Sequence, residues 1–391
     1  MKKISVLICV YLWLIFFCLS IAAQDYKTIN YGIEYAEIKR GTEIEPIKIN
    51  LLRLDLTKVR LDVVHALDAA IGLETTSSIA TRHGAFAAIN AGFFRLDKSI
   101  FAGDATGVLM IDGKLLSESY GNRIGLAIDN KNDLTEVGFD YFNLSYGVVI
   151  KKNLILLHGI NRQRGEDEAI LYSPEFHYTT LTDSNGLEII IRNGKIKDIV
   201  SDKGSNLIPS DGFIISASGK IKQGLLSAAK IGEKIEILPT GARNDSDSQD
   251  KNSLGKIFYR RLPVTIDLDN ADIVGGVPQL IKNGKIEITW EQEKSSKSFV
   301  ETRHPRTAVA KLKDGKFLMI TVDGRQKESV GMNLNELAAL LLELGAVDAM
   351  NLDGGGSTTM FTGGKVVNKP SDKEGERKVS DVILVFPRKQ R

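Results

Sequence analysis

The clearest pattern of hydrophobic and polar positions lies in the C-terminal quarter of the chain, where the apolar period changes twice. Mainly apolar runs at residues 316–322 and 346–352 each predict a buried strand. Between them, leucine and alanine recur every three to four residues, which predicts an amphipathic helix. Asn333 and Glu336 have the spacing of a capping box, and Gly345 suits the helix end. The segment therefore predicts a strand–helix–strand unit.

The rest of the chain carries mainly strand signals. Residues 47–67 alternate apolar and polar side chains over two predicted strands. Asp-Gly or Asn-Gly turns at 112–113, 193–194 and 283–284 predict hairpins, and residues 75–83 predict a short helix. We therefore expect an α+β fold, with a central mixed β-sheet, packed helices and many β-hairpins.

The N-terminus reads as a secretory signal. Lys2 and Lys3 precede an apolar run over residues 4–21, and small residues follow at Ala22 and Ala23. We expect residues 1–23 to be removed and the protein to be secreted or periplasmic. An uncleaved N-terminal anchor is the alternative, because the run is long enough to span a bilayer. No later segment is so apolar, which predicts no stable membrane insertion after cleavage.

Composition limits the partners and the means of stabilisation. Both cysteines lie inside the predicted signal, so the mature chain must be held by its core rather than by disulfides. Loss of Lys2 and Lys3 lowers the formal charge from +2 to 0, and no basic stripe with aromatic residues remains. Nucleic acid is therefore not an expected partner.

Three parts are expected after the signal. Residues 24–120 form a β-rich N-terminal part, residues 121–270 a less certain middle part or insertion, and residues 271–391 the part with the main motifs. We interpret residues 24–391 as one catalytic unit.

The candidate chemistry lies at the ends of the two C-terminal strands. Asp323 follows the first strand, and Asp353 opens a glycine-rich loop after the second. In strand–helix–strand units such strand ends meet ligands, and bare glycine backbone offers N–H groups to anions or sugars. A tight connection without a ligand is the alternative reading of this loop. The candidate ligand-binding residues of the loop are Gly354, Gly355, Gly356, Ser357 and Thr358.

Two further polar residues stand beside predicted strands. Arg306 lies at the mouth of the hairpin that leads to Asp323, where a guanidinium can bind phosphate through two hydrogen bonds. A surface ion pair is the alternative for Arg306. Asn90 ends an apolar strand and is followed by a glycine and two phenylalanines, which suits a sugar-binding amide or a simple turn. The isolated His65 and His83 lack metal-ligand spacing and are expected to be structural.

A short sequence similarity links two of these segments. Residues 84–90 and 345–351 share the pattern G-A-x-x-A-x-N, and each follows a predicted helix. If this is a repeat rather than coincidence, both strands run parallel in one central sheet. Asn90 and Asp353 would then project into one pocket, together with Asp323.

Several of these segments resemble the phosphodiester glycosidase family. The resemblance rests on INAGFF (89–94), GGVPQLIKNG (275–284), RHPRTAVA (303–310) and MNLDGGGSTTM (350–360), with DGR preceding the predicted helix. It extends over residues 51–385 and is weakest between 121 and 270. The resemblance implies a hydrolase acting on sugar-1-phosphodiesters, such as α-linked N-acetylglucosamine-1-phosphodiesters. Ala91 and Ala310 stand where glycine is frequent in the family.

The resemblance and the residue chemistry together imply roles. Asp353, or else Asp323, is the expected nucleophile or base, and Arg306 and Arg325 hold the leaving phosphate together with the glycine amides. The remaining expected substrate-binding residues are Asn90, Asp104, His304, Ser357 and Thr358, with Asp104 as a weaker third acid.

Two other functions remain open. One is a non-catalytic exopolysaccharide-binding protein. The other is a metal-dependent phosphodiesterase with a divalent cation at Asp323 and Asp353. The favoured reading needs no cofactor or metal, and its partner is a carbohydrate or glycosyl-phosphate substrate.

Overall fold

The computed structural model describes residues 25–131, 133–240 and 270–389. The predicted signal at residues 1–23 lies outside the described residues. Within them, the helices are α1 (Thr76–Arg82), α2 (Gly219–Ala228), α3 (Lys297–Glu301) and α4 (Leu334–Glu343).

The first strands, in chain order, are β1 (Lys27–Asn30), β2 (Ile33–Gly41), β3 (Pro46–Leu54), β4 (Val59–His65), β5 (Glu74–Thr75), β6 (Ala87–Asn90), β7 (Leu109–Ile111), β8 (Lys114–Ser117), β9 (Ile124–Lys131), β10 (Leu134–Tyr141), β11 (Ser145–Ile150), β12 (Asn153–Leu156), β13 (Gly159–Ile160) and β14 (Ala169–Tyr172). The later strands are β15 (Leu187–Arg192), β16 (Lys195–Ser201), β17 (Gly212–Ala217), β18 (Ile235–Thr240), β19 (Asp272–Gly275), β20 (Gln279–Lys282), β21 (Lys285–Ile286), β22 (Arg306–Leu312), β23 (Phe317–Val322), β24 (Ala346–Asn351), β25 (Met360–Thr362), β26 (Lys365–Val366), β27 (Lys378–Val379) and β28 (Asp381–Pro387).

The largest sheet, called the main sheet below, has eight strands in the order β1-β2-β3-β23-β22-β24-β20-β21. Its central strands are apolar on both faces because both faces are covered. Helices α3 and α4 pack on one face through residues such as Val300, Leu337 and Leu341. The other face packs on a second apolar cluster, which includes Met319 and Met350.

The predicted strand–helix–strand unit is confirmed, and a further strand, β22, lies between its two strands in the sheet. Both β23 and β24 are antiparallel to β22, which lies between them, so the two strands run parallel to each other. Asn333 caps α4 with the full capping box to Glu336, and Gly345 follows the helix with φ of 89°. The chain therefore leaves the main sheet just before Asp353, as the sequence predicted.

The predicted parallel pairing of the two G-A-x-x-A-x-N strands is wrong. Strand β6 belongs to a different sheet, the facing sheet, whose order is β26-β25-β6-β28-β4. The facing sheet and the main sheet pack against each other, and Ile89 and Met350 share one apolar cluster. The two strands thus lie across a core from each other instead of side by side, because a seven-residue similarity does not specify the pairing partner.

The fold is richer in sheet than we expected. Of the described residues, 46% lie in strands and 11% in helices. Among the described strands, nearly all hydrogen-bonded neighbours are antiparallel, and β13 and β14 pair in parallel. The three predicted Asp-Gly and Asn-Gly hairpins are present, with positive φ at both turn residues, as at Asn193 and Gly194. The expected α+β class overstated the helices, since the four described α-helices have only five to ten residues each.

The middle of the chain divides between sheets. Strands β9 and β10 join a third sheet in the order β10-β9-β19-β7-β8. Strands β11 to β18 form a three-stranded sheet, β12-β11-β18, and a five-stranded sheet, β13-β14-β17-β15-β16. One apolar cluster joins both of these to the third sheet, through residues such as Met110, Val148 and Ile189. The domain limits stay a prediction. No helix in the described ranges has the length and apolar character needed to cross a bilayer.

Candidate active site

The glycine-rich loop between β24 and β25 forms the centre of the candidate site. Its backbone lies against the connection between α3 and β22: the Gly355 N–H donates to the Pro305 carbonyl at 2.9 Å. A β-carbon on Gly354 would stand 2.8 Å from the same oxygen, and Gly355 has φ of 61°. Both positions therefore require glycine, and the loop continues as a short 3₁₀ turn over Gly355–Ser357.

Asp353 is held at the base of this loop. Its backbone N–H donates to the Ala91 carbonyl at 2.9 Å, and its Oδ1 accepts from the Gly354 N–H at 2.9 Å. Burial raises the pKa of its carboxyl to about 6, against the lowering effects of Ser357, Gly354 and the charge of Arg377. A carboxyl group with such a pKa can take up a proton near neutral pH, as a catalytic base must, and is largely ionised there, as a nucleophile must be.

Asn90 contacts the Asp353 loop, as predicted, but its amide is used within the protein. The side chain is fully buried, and its Nδ2 donates to the Asp353 carbonyl at 2.6 Å. Its Oδ1 accepts from the Thr307 hydroxyl at 2.8 Å and from the Thr359 N–H at 3.1 Å. These contacts revise the predicted sugar-binding role: Asn90 joins the facing sheet to β22 and to the loop.

Asp323 is also buried, with 2% of its surface exposed. Its Oδ1 accepts from the Asn368 side chain and from the Lys369 N–H, both at 3.1 Å. Asn368 in turn donates to the Thr358 carbonyl at 3.0 Å. Burial raises the pKa of Asp323. Asp323 is thus connected to the glycine-rich loop through Asn368, and its hydrogen bonds support the segment behind that loop.

Arg306 does not lie open at the mouth of its hairpin as predicted. It is 1% exposed, and its Nε and Nη2 donate to the carbonyls of Met332, Phe299 and Thr302 at 2.7 to 3.0 Å. Burial lowers its pKa to about 10. As the first residue of β22 it points under α3, where the guanidinium satisfies helix-end carbonyls. The predicted phosphate role is therefore revised to a structural one.

Arg325 and His304 form the exposed rim of the site. The Arg325 Nη2 lies 3.2 Å from the His304 Nδ1, and a β-carbon on Gly355 would be 3.1 Å from that same Nη2. His304 is half-buried, and burial together with the charges of Arg306 and Arg325 lowers its pKa. The rim therefore presents an exposed guanidinium and an imidazole that favours its neutral form beside the glycine-rich loop.

The two hydroxyl residues of the loop differ in their contacts. The Ser357 side chain is buried, and its hydroxyl lies close enough to the Asp353 carboxyl to lower the pKa of that group. Thr358 accepts from the Thr307 hydroxyl at 3.4 Å. Ser357 thus places a hydroxyl beside Asp353, whereas Thr358 helps to close the loop onto β22.

Asp104 has different charged neighbours from Asp353. Burial and the charge of Glu118 raise its pKa to about 7, while Arg162 and Arg95 oppose that rise. Arg162, from the middle part of the chain, pairs with Glu118: its Nε lies 2.7 Å from the Glu118 carboxylate. The structure therefore places Asp104 in a second charged cluster rather than in contact with the glycine-rich loop.

Sequence reasoning missed two charged residues beside Asp353. Arg377 is held by two hydrogen bonds to Asp372, at 2.7 and 3.0 Å, and lies against Gly356. Asp381, the first residue of β28, is 1% exposed and its charge raises the pKa of Asp353. Arg377 comes from the polar segment before the last strand and Asp381 from the first position of that strand, where no local pattern points to a site. Only their place in the facing sheet and its loops reveals them.

In the described ranges, no group of three or more His, Cys, Asp or Glu side chains is arranged to hold a metal ion. Asp323 and Asp353 each accept hydrogen bonds from separate backbone groups. The expectation of a site without a cofactor stays a prediction.

Two solved structures share this fold. A hypothetical protein from Synechocystis superposes with a TM-score of 0.74 at 23% identity, over 94% of this chain and 64% of that one. A putative exported protein from Burkholderia pseudomallei gives a TM-score of 0.72 at 23% identity, over 89% of this chain and 76% of that one. At this identity the likeness concerns the fold.

Sequence relatives carry a common name. The chain is 37% identical over 137 residues to the N-acetylglucosamine-1-phosphodiester alpha-N-acetylglucosaminidase of Bos taurus, covering 31% of this chain and 26% of that protein. It is 30% identical over 193 residues to the Mus musculus protein of the same name, covering 46% and 34%. The matched segments thus span about a third or less of these relatives. The model of the phosphodiester glycosidase family matches residues 185–386. As its motifs predicted, the chain belongs to the phosphodiester glycosidase family.

Proposed function

We propose that the protein is a glycosidase that hydrolyses sugar-1-phosphodiesters, with α-linked N-acetylglucosamine-1-phosphodiesters as the substrate class. The proposal includes a secreted or periplasmic location, which rests on the signal sequence alone. The observation that carries it is that one glycine-rich loop has a carboxyl group of raised pKa at its start, Asp353, and the exposed guanidinium of Arg325 against its Gly355. Family membership and the names of the relatives support the substrate class.

In the proposed reaction the bond between the sugar C1 and the phosphodiester oxygen breaks. The products are the free sugar and a phosphate monoester, and one water molecule is consumed. Positive charge develops at C1 in an oxocarbenium-like transition state. Ionised Asp353 would act there as the nucleophile, or as the base that takes a proton from the attacking water.

The departing phosphate gains negative charge as the bond breaks. Its second pKa is about 6, so it leaves without a strong general acid. A cation that holds the growing charge is more useful, and Arg325 is exposed beside Gly355 for that purpose. Arg377 supplies a second guanidinium at Gly356, partly neutralised by Asp372. Asp323 and Arg306 would support this arrangement from behind the loop.

Two polar groups remain to orient the sugar. The Ser357 hydroxyl lies beside Asp353, and the half-buried His304 ring lies beside Arg325 at the rim. Phe93, in the loop after β6, has its ring centroid 6.2 Å from that of Phe299. An edge-to-face aromatic pair of this kind can pack against a sugar ring.

The test compares Asp353→Asn with the wild-type protein on a panel of sugar-1-phosphodiesters. Asparagine keeps the acceptor for the Gly354 N–H, so the fold is retained, while nucleophile and base are lost. We expect kcat to fall by about a thousandfold or more. The matched control is Asp314→Asn, an exposed aspartate in the β22–β23 turn, whose turnover should equal that of the wild type.

The outcomes distinguish the alternatives. Wild-type turnover of a sugar-1-phosphodiester that survives EDTA and is lost in Asp353→Asn supports the proposal. Sugar binding without turnover of any panel member would indicate a polysaccharide-binding protein. Turnover that EDTA abolishes and a divalent cation restores would indicate a metal-dependent phosphodiesterase.

A further inference from the structure

Asp381 is a second buried carboxyl group beside the candidate site that the reaction described above does not use. Its Oδ1 accepts from the Gly92 N–H at 2.6 Å, and its Oδ2 accepts from the hydroxyl of Ser380. A β-carbon on Gly92 would stand 3.0 Å from that Oδ1. Because glycine has no side chain at this position, the Asp381 carboxylate can reach the backbone of the loop after β6.

The backbone at Ala91 and Gly92 connects Asp381 to Asp353. The Ala91 N–H donates to the Asp381 carbonyl at 3.1 Å, and the Ala91 carbonyl accepts from the Asp353 N–H at 2.9 Å. The Asp381 side chain holds the next residue, Gly92. Both aspartates thus hydrogen-bond to the backbone of Ala91–Gly92, so the position of Asp353 depends on that of Asp381.

A histidine accompanies Asp381 on the neighbouring strand. His65 is the register partner of Asp381 in the pairing of β4 with β28, and it is 1% exposed. Its Nδ1 lies 3.0 Å from the Ala66 carbonyl and its Nε2 lies 3.0 Å from the Gly103 carbonyl. His65 thus bridges two backbone carbonyls beside Asp381, one from each ring nitrogen.

We propose that Asp381 is a positioning residue of the site, which anchors the loop after β6 and opposes the ionisation of Asp353 by its own negative charge. The inference rests on the proposed function of Asp353, but its physical content is a coupling between two carboxyl groups.

Charged groups from several packed elements face the two carboxyls. The charge of Arg377 lowers the pKa of Asp353, and the charge of Asp381 raises it. Burial raises the pKa of Asp381, and the Ser380 hydroxyl and the charge of His65 oppose that rise. Arg325 and His304 lie on the other side of the loop at Gly355. Among these groups, Asp381 is the one whose negative charge acts on Asp353.

Asp381→Asn tests the charge without removing the contacts. Asparagine still accepts from the Gly92 N–H and can donate to Ser380, so the loop keeps its anchor. We expect the titration midpoint of the Asp353 carboxyl carbon, followed by ¹³C NMR and assigned with Asp353→Asn, to fall by about one pH unit, a tenfold change in the ionisation equilibrium. The acid limb of kcat/KM should move in parallel.

The matched control is Asp272→Asn. Asp272 is a buried carboxylate that also accepts backbone N–H groups, those of Val63 and Asp112, at 2.7 and 2.8 Å. Its replacement should leave the Asp353 midpoint unchanged. An unchanged midpoint in folded Asp381→Asn overturns the inference, because a merely structural aspartate would give that result.

The reciprocal measurement covers the case in which Asp381→Asn does not fold. Coupled carboxyl groups shift each other equally, so Asp353→Asn must lower the midpoint of Asp381 by the same amount. No shift there contradicts the coupling. A shift in a protein that turns over no sugar-1-phosphodiester contradicts the proposed function and supports the coupling.

Discussion

Two arginines stand beside the glycine-rich loop, and the burial of each guanidinium decides what it can do. Arg306 is buried and donates to three backbone carbonyls, which leaves little capacity for a ligand. Arg325 is exposed and lies against Gly355. Their motifs made both arginines candidates, because residue type predicts chemistry but not exposure. Similarly, the sequence predicted that Asn90 would lie near Asp353. It did not predict that the amide oxygen would accept hydrogen bonds from Thr307 and Thr359.

Replacement of the two arginines should therefore have different effects. We expect Arg325→Ala to lower kcat on a sugar-1-phosphodiester by about ten- to a hundredfold with a near-normal melting temperature, since it removes an exposed cation from the leaving phosphate. Arg306→Ala should instead lower the free energy of unfolding by about 1–3 kcal/mol or more, because buried carbonyls lose their donors.

Steady-state kinetics and thermal melting of both variants give the comparison. Arg40→Ala serves as the control, since Arg40 pairs with Glu343 at the surface. A stable Arg306→Ala protein with a large kcat defect would reverse the assignment of the two roles.

At the scale of elements, local signals specified the helices and hairpins near the site. The capping box at Asn333, the stop at Gly345 and the turn at Asn283–Gly284 all appear as predicted, because each depends on a few neighbouring residues. The pairing of β6 could not be predicted in this way. Its neighbours, β25 and β28, lie more than 250 residues away, and an apolar four-residue strand fits several sheets equally well.

The cap of α4 gives a prediction at this scale. Asn333 accepts from the Glu336 N–H at 2.9 Å, and Glu336 also binds Arg303. Asn333→Ala should lower the free energy of unfolding by about 0.5–2 kcal/mol. Because α4 packs on the main sheet away from Asp353, kcat should stay within about twofold. Urea denaturation measures the first effect, with Glu343→Ala on the same helix as the near-neutral control.

For the whole molecule, the sequence predicted a protein held by its core, and the apolar clusters between the sheets provide one. It gave little information on the middle of the chain, where short antiparallel strands alternate with turns and no motif appears. That region meets the site-bearing sheets through the third sheet, and through the cluster of Arg95, Asp104, Glu118 and Arg162. The sequence made Asp104 a weaker candidate for a third acid, whereas the fold places it at this junction.

The last prediction concerns Asp104 and the dependence of stability on pH. Burial raises its pKa to about 7 in the folded protein, against about 3.9 in an unfolded chain. Between these values the folded protein binds the proton and the unfolded chain does not, so the free energy of unfolding contributed by Asp104 falls as pH rises from about 4 to about 7. We expect Asp104→Asn to reduce the wild-type fall between pH 5 and pH 8 by about 1–3 kcal/mol, because asparagine carries no charge to bury. Urea denaturation at both pH values measures this, with the exposed Asp314→Asn as the control. Equal pH dependence in Asp104→Asn and wild type would show that Asp104 is ionised throughout, paired with Arg95 and Arg162.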